Sequence, residues 1–226
     1  MALTLYDFPS SPNAQKVRLL LAELGLEFEH RSVAQATPRP DWYLQLNPFG
    51  RVPAIKDGDL FLAESHAILR YLAQRSGRDE LYVEQRAHVD WALDAWATFV
   101  GTQMRSLIYQ VLVATIDDEG RSHPERADPE RVQPAIAEAR RGLAAYEEFC
   151  AGTGAVCGSF TIADCAVAPA LKRTERLPLD LDNEFPKLAK IRDAVLERPA
   201  AVAVWAADVG VTNVPAASDR SNVDPG

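Results

Sequence analysis

Sulfur is scarce in this chain: two methionines and three cysteines among 226 residues. Cys150, Cys157 and Cys165 are odd in number and form no C-x-x-C pair. That excludes a disulfide framework and fits a reducing, cytoplasmic setting in which the thiols are small buried side chains. His30, His66, His88 and His123 show no metal-ligand spacing, so no metal is assigned. Basic residues are outnumbered 24 to 32, for a net charge of −8. Phosphate binding needs a basic face, so nucleic acid is not an expected partner. No apolar run is long enough to span a bilayer. The stretch from Met1 to Asp7 has neither a basic segment nor a cleavage-site pattern, so no signal peptide is expected.

What is present is the composition of a soluble globular protein, 47% hydrophobic and 25% charged, with room for one large or two ordinary domains. Leu3 to Phe8 alternates as a strand, and Pro9 to Asn13 is a turn. Val17, Leu20, Leu21 and Leu24 predict a helix over 14–24 that Gly25 stops; a second strand follows over 27–33. Strands joined through a helix pair in parallel. A short helix at 41–46, two strands around the Asp57-Gly58 hairpin turn and a helix over 64–76 complete a first domain, residues 1–78.

Beyond the polar linker at 76–80 no strand pattern recurs. Val89, Leu93, Trp96 and Val100, continuing through Leu112, predict one long helix. The charged segment 117–129, with Pro124 and Pro129, reads as a mobile loop, and 131–150 as a second helix. Thr161 and Asp164 form a shortened capping box before a run that is apolar all round, a structural device whose loss costs about 0.5–2 kcal/mol. Further helices begin at Phe185 and Ala200; in the last, Trp205 either covers a pocket or joins the core. Residues 84–211 are thus an all-helical domain, and 212–226 a disordered tail.

The rest is organised around Asn47-Pro48-Phe49-Gly50-Arg51-Val52-Pro53-Ala54-Ile55, followed by Glu64-Ser65-His66-Ala67-Ile68. The first half is a turn feeding a strand. Pro53 cannot donate to a ladder, which places it at a strand start or a sheet edge, and it holds Val52 extended. The Val52 N–H and C=O can then face outward to pair with an extended ligand. The second half opens a helix, whose free N–H groups and dipole suit a carboxylate, while Glu64 suits an ammonium. Together they describe a pocket for a small zwitterionic peptide.

N-P-x-G-x-V-P-A-[LI] followed by E-S-x-A-I resembles the glutathione transferase superfamily, and the resemblance runs to about Val211. It implies an α/β thioredoxin-like N-terminal domain, an all-α C-terminal domain and glutathione as co-substrate. The implied reaction adds the glutathione thiolate to a hydrophobic electrophile. A thiol of pKa about 8.5 is only a few per cent ionised near neutrality, and a hydrogen-bond donor with a helix N-terminus lowers that value. Counting back from Lys16-Val17-Arg18, Ser11 matches the catalytic serine of bacterial-type, theta- and phi-like classes. The same place holds cysteine in omega-like thiol transferases, and the tyrosine of other classes falls near Asp7, with Tyr6 close by. Asn13 is a second candidate donor, as in the P-N turn of some bacterial classes. A plain helix-capping role stays open for Ser11.

By the same resemblance Glu64 and Ser65 hold the γ-glutamyl group, Val52 pairs with the cysteinyl unit and Pro53 is cis. Arg51 meets the glycyl carboxylate or is a solvated surface side chain. Phe49 sits where phi-like enzymes plug a partner subunit, which implies a homodimer. An acidic residue reaching the partner's glutathione would fall near Thr98, with Asp94 nearby. Phe8, Pro9, Met104, Ile108 and Tyr109 are placed for the second substrate or for interdomain core. A glutathione-dependent lyase, dehalogenase or isomerase would share this scaffold. A non-catalytic binding or regulatory protein would be expected to lose Glu64-Ser65 or the Ser11 region.

Overall fold

The computed structural model describes residues 3–8, 10–34, 38–117 and 121–208. Strand β1 (Leu3–Asp7) leads into helix α1 (Pro12–Leu24), which Ser11 caps and Gly25 closes in the left-handed conformation, φ 61°. β2 (Phe28–Ser32) returns parallel to β1, the expected βαβ unit. After α2 (Asp41–Leu46) come β3 (Ala54–Asp57), β4 (Leu60–Ala63) and α3 (Ser65–Ser76). The mixed sheet has the order β2-β1-β3-β4. Alternation along β1 sorts its side chains between two clusters. Leu3 and Leu5 pack with Leu20 of α1 and Ile68 of α3, whereas Tyr6 and Phe8 pack with Val33, Tyr43 and Val52.

The structure decides between the two placements that the sequence left open for Pro53. β3 lies between β1 and β4, so it is not an edge strand. Pro53 sits immediately before it, where no ladder N–H is required.

The remainder is helical: α4 (Arg86–Ala95), α5 (Gly101–Ile108), α6 (Pro129–Phe149), α7 (Ile162–Arg173), α8 (Leu181–Glu184), α9 (Pro186–Leu196) and α10 (Pro199–Asp208). The expected single α-helix through Leu112 is interrupted by π-helical stretches at Trp96–Val100 and Tyr109–Val113. The Gly101 N–H reaches the Trp96 carbonyl, five residues back. A Cβ at position 101 would lie 2.8 Å from that carbonyl oxygen, so glycine lets the wide turn close. The charged segment expected to be mobile contains a short turn, Pro124–Arg126, and Asp117 accepts from the Arg121 N–H at 2.8 Å and pairs with His123 at 2.7 Å. Its charges tie the segment rather than only solvating it, and Asp128 caps α6 earlier than predicted.

The capping box before α7 is formed. Thr161 Oγ1 accepts from the Ala163 N–H at 3.3 Å, and Asp164 Oδ2 accepts from the Thr161 N–H at 2.7 Å. Asp164 Oδ1 also accepts from Val156 N–H at 2.8 Å. Residues 162–171 of α7 are all buried, as an all-round apolar run requires.

One apolar core runs through the sheet half and the helical half. Trp205 packs against it and does not reach the cavity described below. Ion pairs bridge the halves: Arg198 with Glu23 at 2.6 Å and Arg70 with Asp90 at 2.6 Å. Burial pushes the Cys150 thiol up to about 12 and Cys157 to about 11, which keeps both inert. Among the described residues no helix is long and apolar enough to cross a membrane. The expected tail lies outside the described residues.

Candidate active site

α1, the segment before β3, α3 and α5 enclose a cavity of about 330 Å³. The turn at 47–50 builds one wall. Asn47 is buried, and its Nδ2 donates to the Arg51 carbonyl at 2.8 Å while Tyr43 Oη donates to the same oxygen at 2.6 Å. Asn47 Oδ1 accepts from the Phe49 N–H at 3.3 Å, and Gly50 closes the turn at φ 61°. With the Arg51 carbonyl held by two donors, the trans peptide turns the Val52 N–H to the opposite side. Among the described residues neither the N–H nor the C=O of Val52 has a backbone partner. The Val52–Pro53 bond is cis.

Glu64 and Ser65 form the second wall. Glu64 has φ 69° and ψ 113°, a conformation costing about 1–3 kcal/mol for a residue with a side chain. It occupies the N-cap of α3 but makes no capping bond, so its carboxylate stays available at the cavity. Ser65, the first residue of α3, is buried at the cavity surface beside the free N–H groups of the helix start.

The third wall is the start of α1. Ser11 Oγ accepts from the Ala14 N–H at 3.4 Å, the capping geometry, which leaves the hydroxyl proton to donate elsewhere. Ser11 is buried and does not itself line the cavity; Pro12 and Asn13 do. One turn further on, Lys16 Nζ lies 3.2 Å from His66 Nε2, and both residues line the cavity. Burial, then the Arg105 charge, brings the Lys16 pKa down to about 7, with Glu64 acting in the opposite direction. Burial with the Lys16 and Arg70 charges lowers His66 to about 3.

The far wall is apolar: Met104, Ile108 and Tyr109, with Trp96 and Gly101 from the first π-helical region. The structure therefore brings together Asn13, Arg51, Val52, Pro53, Glu64, Ser65, Met104, Ile108 and Tyr109. Phe8 lies outside this cavity, in the Tyr43 cluster, with the Arg39 guanidinium 5.2 Å from its ring centre. Pro9 lies outside the described residues. Thr98 and Asp94 border a different cavity, and Asp94 pairs with Arg70 at 2.7 Å. Lys16, His66 and Arg105 were not apparent as site residues from the sequence. His66 occupies the unrestricted position of E-S-x-A-I, and Lys16 follows Asn13 by three residues, on the same helix face.

Two family descriptions match the chain: "Glutathione S-transferase, N-terminal domain" over residues 1–74 and "Glutathione S-transferase, C-terminal domain" over residues 129–194, together more than half its length. The chain belongs to the glutathione S-transferase family. This transferase is 35% identical over 179 residues to glutathione S-transferase 3 of Zea mays, covering 75% of this chain and 78% of the maize protein. It is 28% identical over 203 residues to glutathione S-transferase GstB of Escherichia coli K12, covering 88% and 95%. Among solved structures it resembles apo glutathione S-transferase III, with a TM-score of 0.77, 32% identity and coverage of 92% and 97%. It also resembles glutathione S-transferase-I bound with lactoylglutathione, with a TM-score of 0.75, 25% identity and coverage of 91% and 99%.

Proposed function

We propose that this transferase binds glutathione in the cavity, ionises its thiol and adds the thiolate to a hydrophobic electrophile lying against Met104, Ile108 and Tyr109. The observation that carries the reading is one cavity holding the uncapped Glu64 carboxylate, the start of α3 at Ser65 and the unpaired Val52 backbone. Each matches one part of a zwitterionic tripeptide. Glu64 receives the γ-glutamyl ammonium, Ser65 and the helix N–H groups its carboxylate, and Val52 the cysteinyl amide. Arg51 receives the glycyl carboxylate through its fork. The thiol then faces the start of α1, where the dipole and a donor from Ser11 or Asn13 favour the thiolate.

The Ser11 capping geometry, with its spare hydroxyl proton, supports a bacterial-type, theta- or phi-like serine enzyme. The 80% exposure of Phe49 on its turn supports a homodimer. The three free cysteines, Cys150 and Cys165 buried and Cys157 half-buried, support a cytoplasmic setting. Retention on immobilised glutathione, then assays with aryl halides, epoxides and disulfides, tests the reading. Retention with turnover of the halides or epoxides is expected. Failure to bind glutathione and to turn over any of them would instead favour a non-catalytic protein.

A further inference from the structure

The cavity carries more positive charge than glutathione recognition uses. Arg51, Arg105 and Lys16 line it, with Glu64 as the carboxylate among its lining residues. Lys16 stands apart because it is buried, 6% exposed. It lies one helical turn beyond Asn13, so it borders the end of the cavity that receives the thiol. Its Nζ reaches His66, the residue after Ser65, so the nitrogen lies between the α1 and α3 walls of the cavity.

Burial, with the Lys16 and Arg70 charges, keeps His66 uncharged near neutrality, and the Leu93 backbone acts in the opposite direction. A Lys16 ammonium has no lone pair and donates to Nε2, whereas a neutral amine donates to it or accepts from it according to the ring tautomer. The rest of the Lys16 nitrogen is left to the cavity.

We propose that Lys16 accepts the proton of the glutathione thiol, an assignment that rests on the glutathione reading above. The S–H bond breaks with its electron pair staying on sulfur, and an N–H bond forms on the neutral Lys16 amine. The products are a thiolate and an ammonium, paired inside the cavity. The charged and titratable groups around Lys16 favour this outcome. Arg105 from α5 and burial oppose an ammonium, and His66, with Arg70 behind it on α3, offers no negative charge. Glu64 is the carboxylate that supports the ammonium, and the glutathione amine occupies it. The thiolate supplies the counter-charge that is then missing. Each member of the pair stabilises the charged form of the other, so the two titrate together. Ser11 and Asn13 keep their part as donors to the sulfur.

Calorimetry of glutathione binding at pH 7.5, in buffers of different ionisation enthalpy, counts protons exchanged with solvent. S-methylglutathione, which has no thiol proton, sets the baseline. Above that baseline the wild type is expected to release less than about half a proton, because Lys16 retains it. Lys16→Arg, which keeps a positive charge beside the sulfur but cannot accept a proton, is expected to release close to one, and Lys16→Met, which loses the charge as well, less than the Arg variant. A wild type releasing a full proton, or a Lys16→Arg variant matching a low wild-type count, overturns the assignment alone. No binding heat with either ligand overturns the glutathione reading, and this assignment with it.

Discussion

Arg173, at the end of α7, donates through Nη2 to the carbonyl oxygen of Ser10 at 2.9 Å, so the helical half of the transferase holds the turn that carries Ser11 and Asn13. Its Nη1 donates to Gln15 Oε1 and to the Pro169 carbonyl, each at 2.8 Å. Arg173→Lys keeps the charge but loses the fork. It is expected to cost about 1.5–3 kcal/mol in urea unfolding, and to lower kcat several-fold with a smaller change in KM for glutathione. An unchanged kcat would show that the turn holds its shape without this contact.

Glu64 combines a strained backbone with the proposed contact to the glutathione ammonium, and two substitutions separate them. Glu64→Ala and Glu64→Gly both remove the ammonium contact, which is made in ground and transition states alike. KM for glutathione should rise in both, with less change in kcat. Glycine also relieves the strain at φ 69°, so Glu64→Gly alone is expected to gain about 1 kcal/mol of stability. Equal melting temperatures for the two variants would remove the strain argument.

Thiolate absorbance of bound glutathione, followed against pH, distinguishes the candidate donors. A hydrogen bond to a charged group contributes roughly 1.5–3 kcal/mol, or about 1–2 pKa units. Ser11→Ala is expected to move the titration upward by that amount and to leave glutathione affinity nearly intact. If Asn13→Ala moves it instead, the donor is Asn13 and the class assignment changes with it.

Stability against pH should register Lys16 in the absence of any ligand. Its pKa is about 7 in the folded chain against an ordinary 10.5, so unfolding takes up a proton between those values. The Lys16 contribution is therefore least favourable below pH 7 and improves as pH rises toward 10.5. Relative to wild type, Lys16→Met should look most stable near pH 6, and that advantage should shrink by roughly 2–4 kcal/mol by pH 10. Urea melts across this range give the slope, and a constant difference would mean that Lys16 does not titrate there.

Phe49→Ser tests self-association. Loss of an exposed aromatic from a turn leaves the fold intact but removes an anchor for a second copy. Sedimentation at micromolar concentration should show a dimer that weakens in the variant. A monomeric wild type would refute the homodimer.

What could be read from the sequence was mostly local. Asn47 to Gly50 is a turn whose bonds close within a few residues, and Thr161 caps a helix start only three residues from Asp164. Such geometry is written into neighbouring side chains. The cavity walls from β3, α3 and α5 followed from recognising two motifs together. The π-helical stretches were hidden because Val89, Leu93, Trp96 and Val100 fit α-helical spacing before the ladder widens. Lys16 and His66 meet across fifty positions of sequence, and nothing near either one signals the other. Of the two placements the sequence left open for Pro53, a strand start and a sheet edge, the first holds, because a proline just ahead of a strand meets the constraint even in the middle of a sheet.

Because the core threads both halves without a break, the transferase cannot admit a substrate by swinging one half from the other. Parting α1 from α7 would wet their shared apolar surface at about 25 cal/mol per Å², far more than a ligand could repay before it is bound. Entry is left to the exposed side chains at the mouth, Arg105 and Tyr109. The cavity is walled by packed elements and rimmed by exposed side chains. The shape of the electrophile proposed to lie there is then set at a few exposed positions on α5 and the π-helical stretch that follows it. Exchanging them spares the fold beneath, but a change at Arg105 also reaches the Lys16 nitrogen, whose charge it opposes.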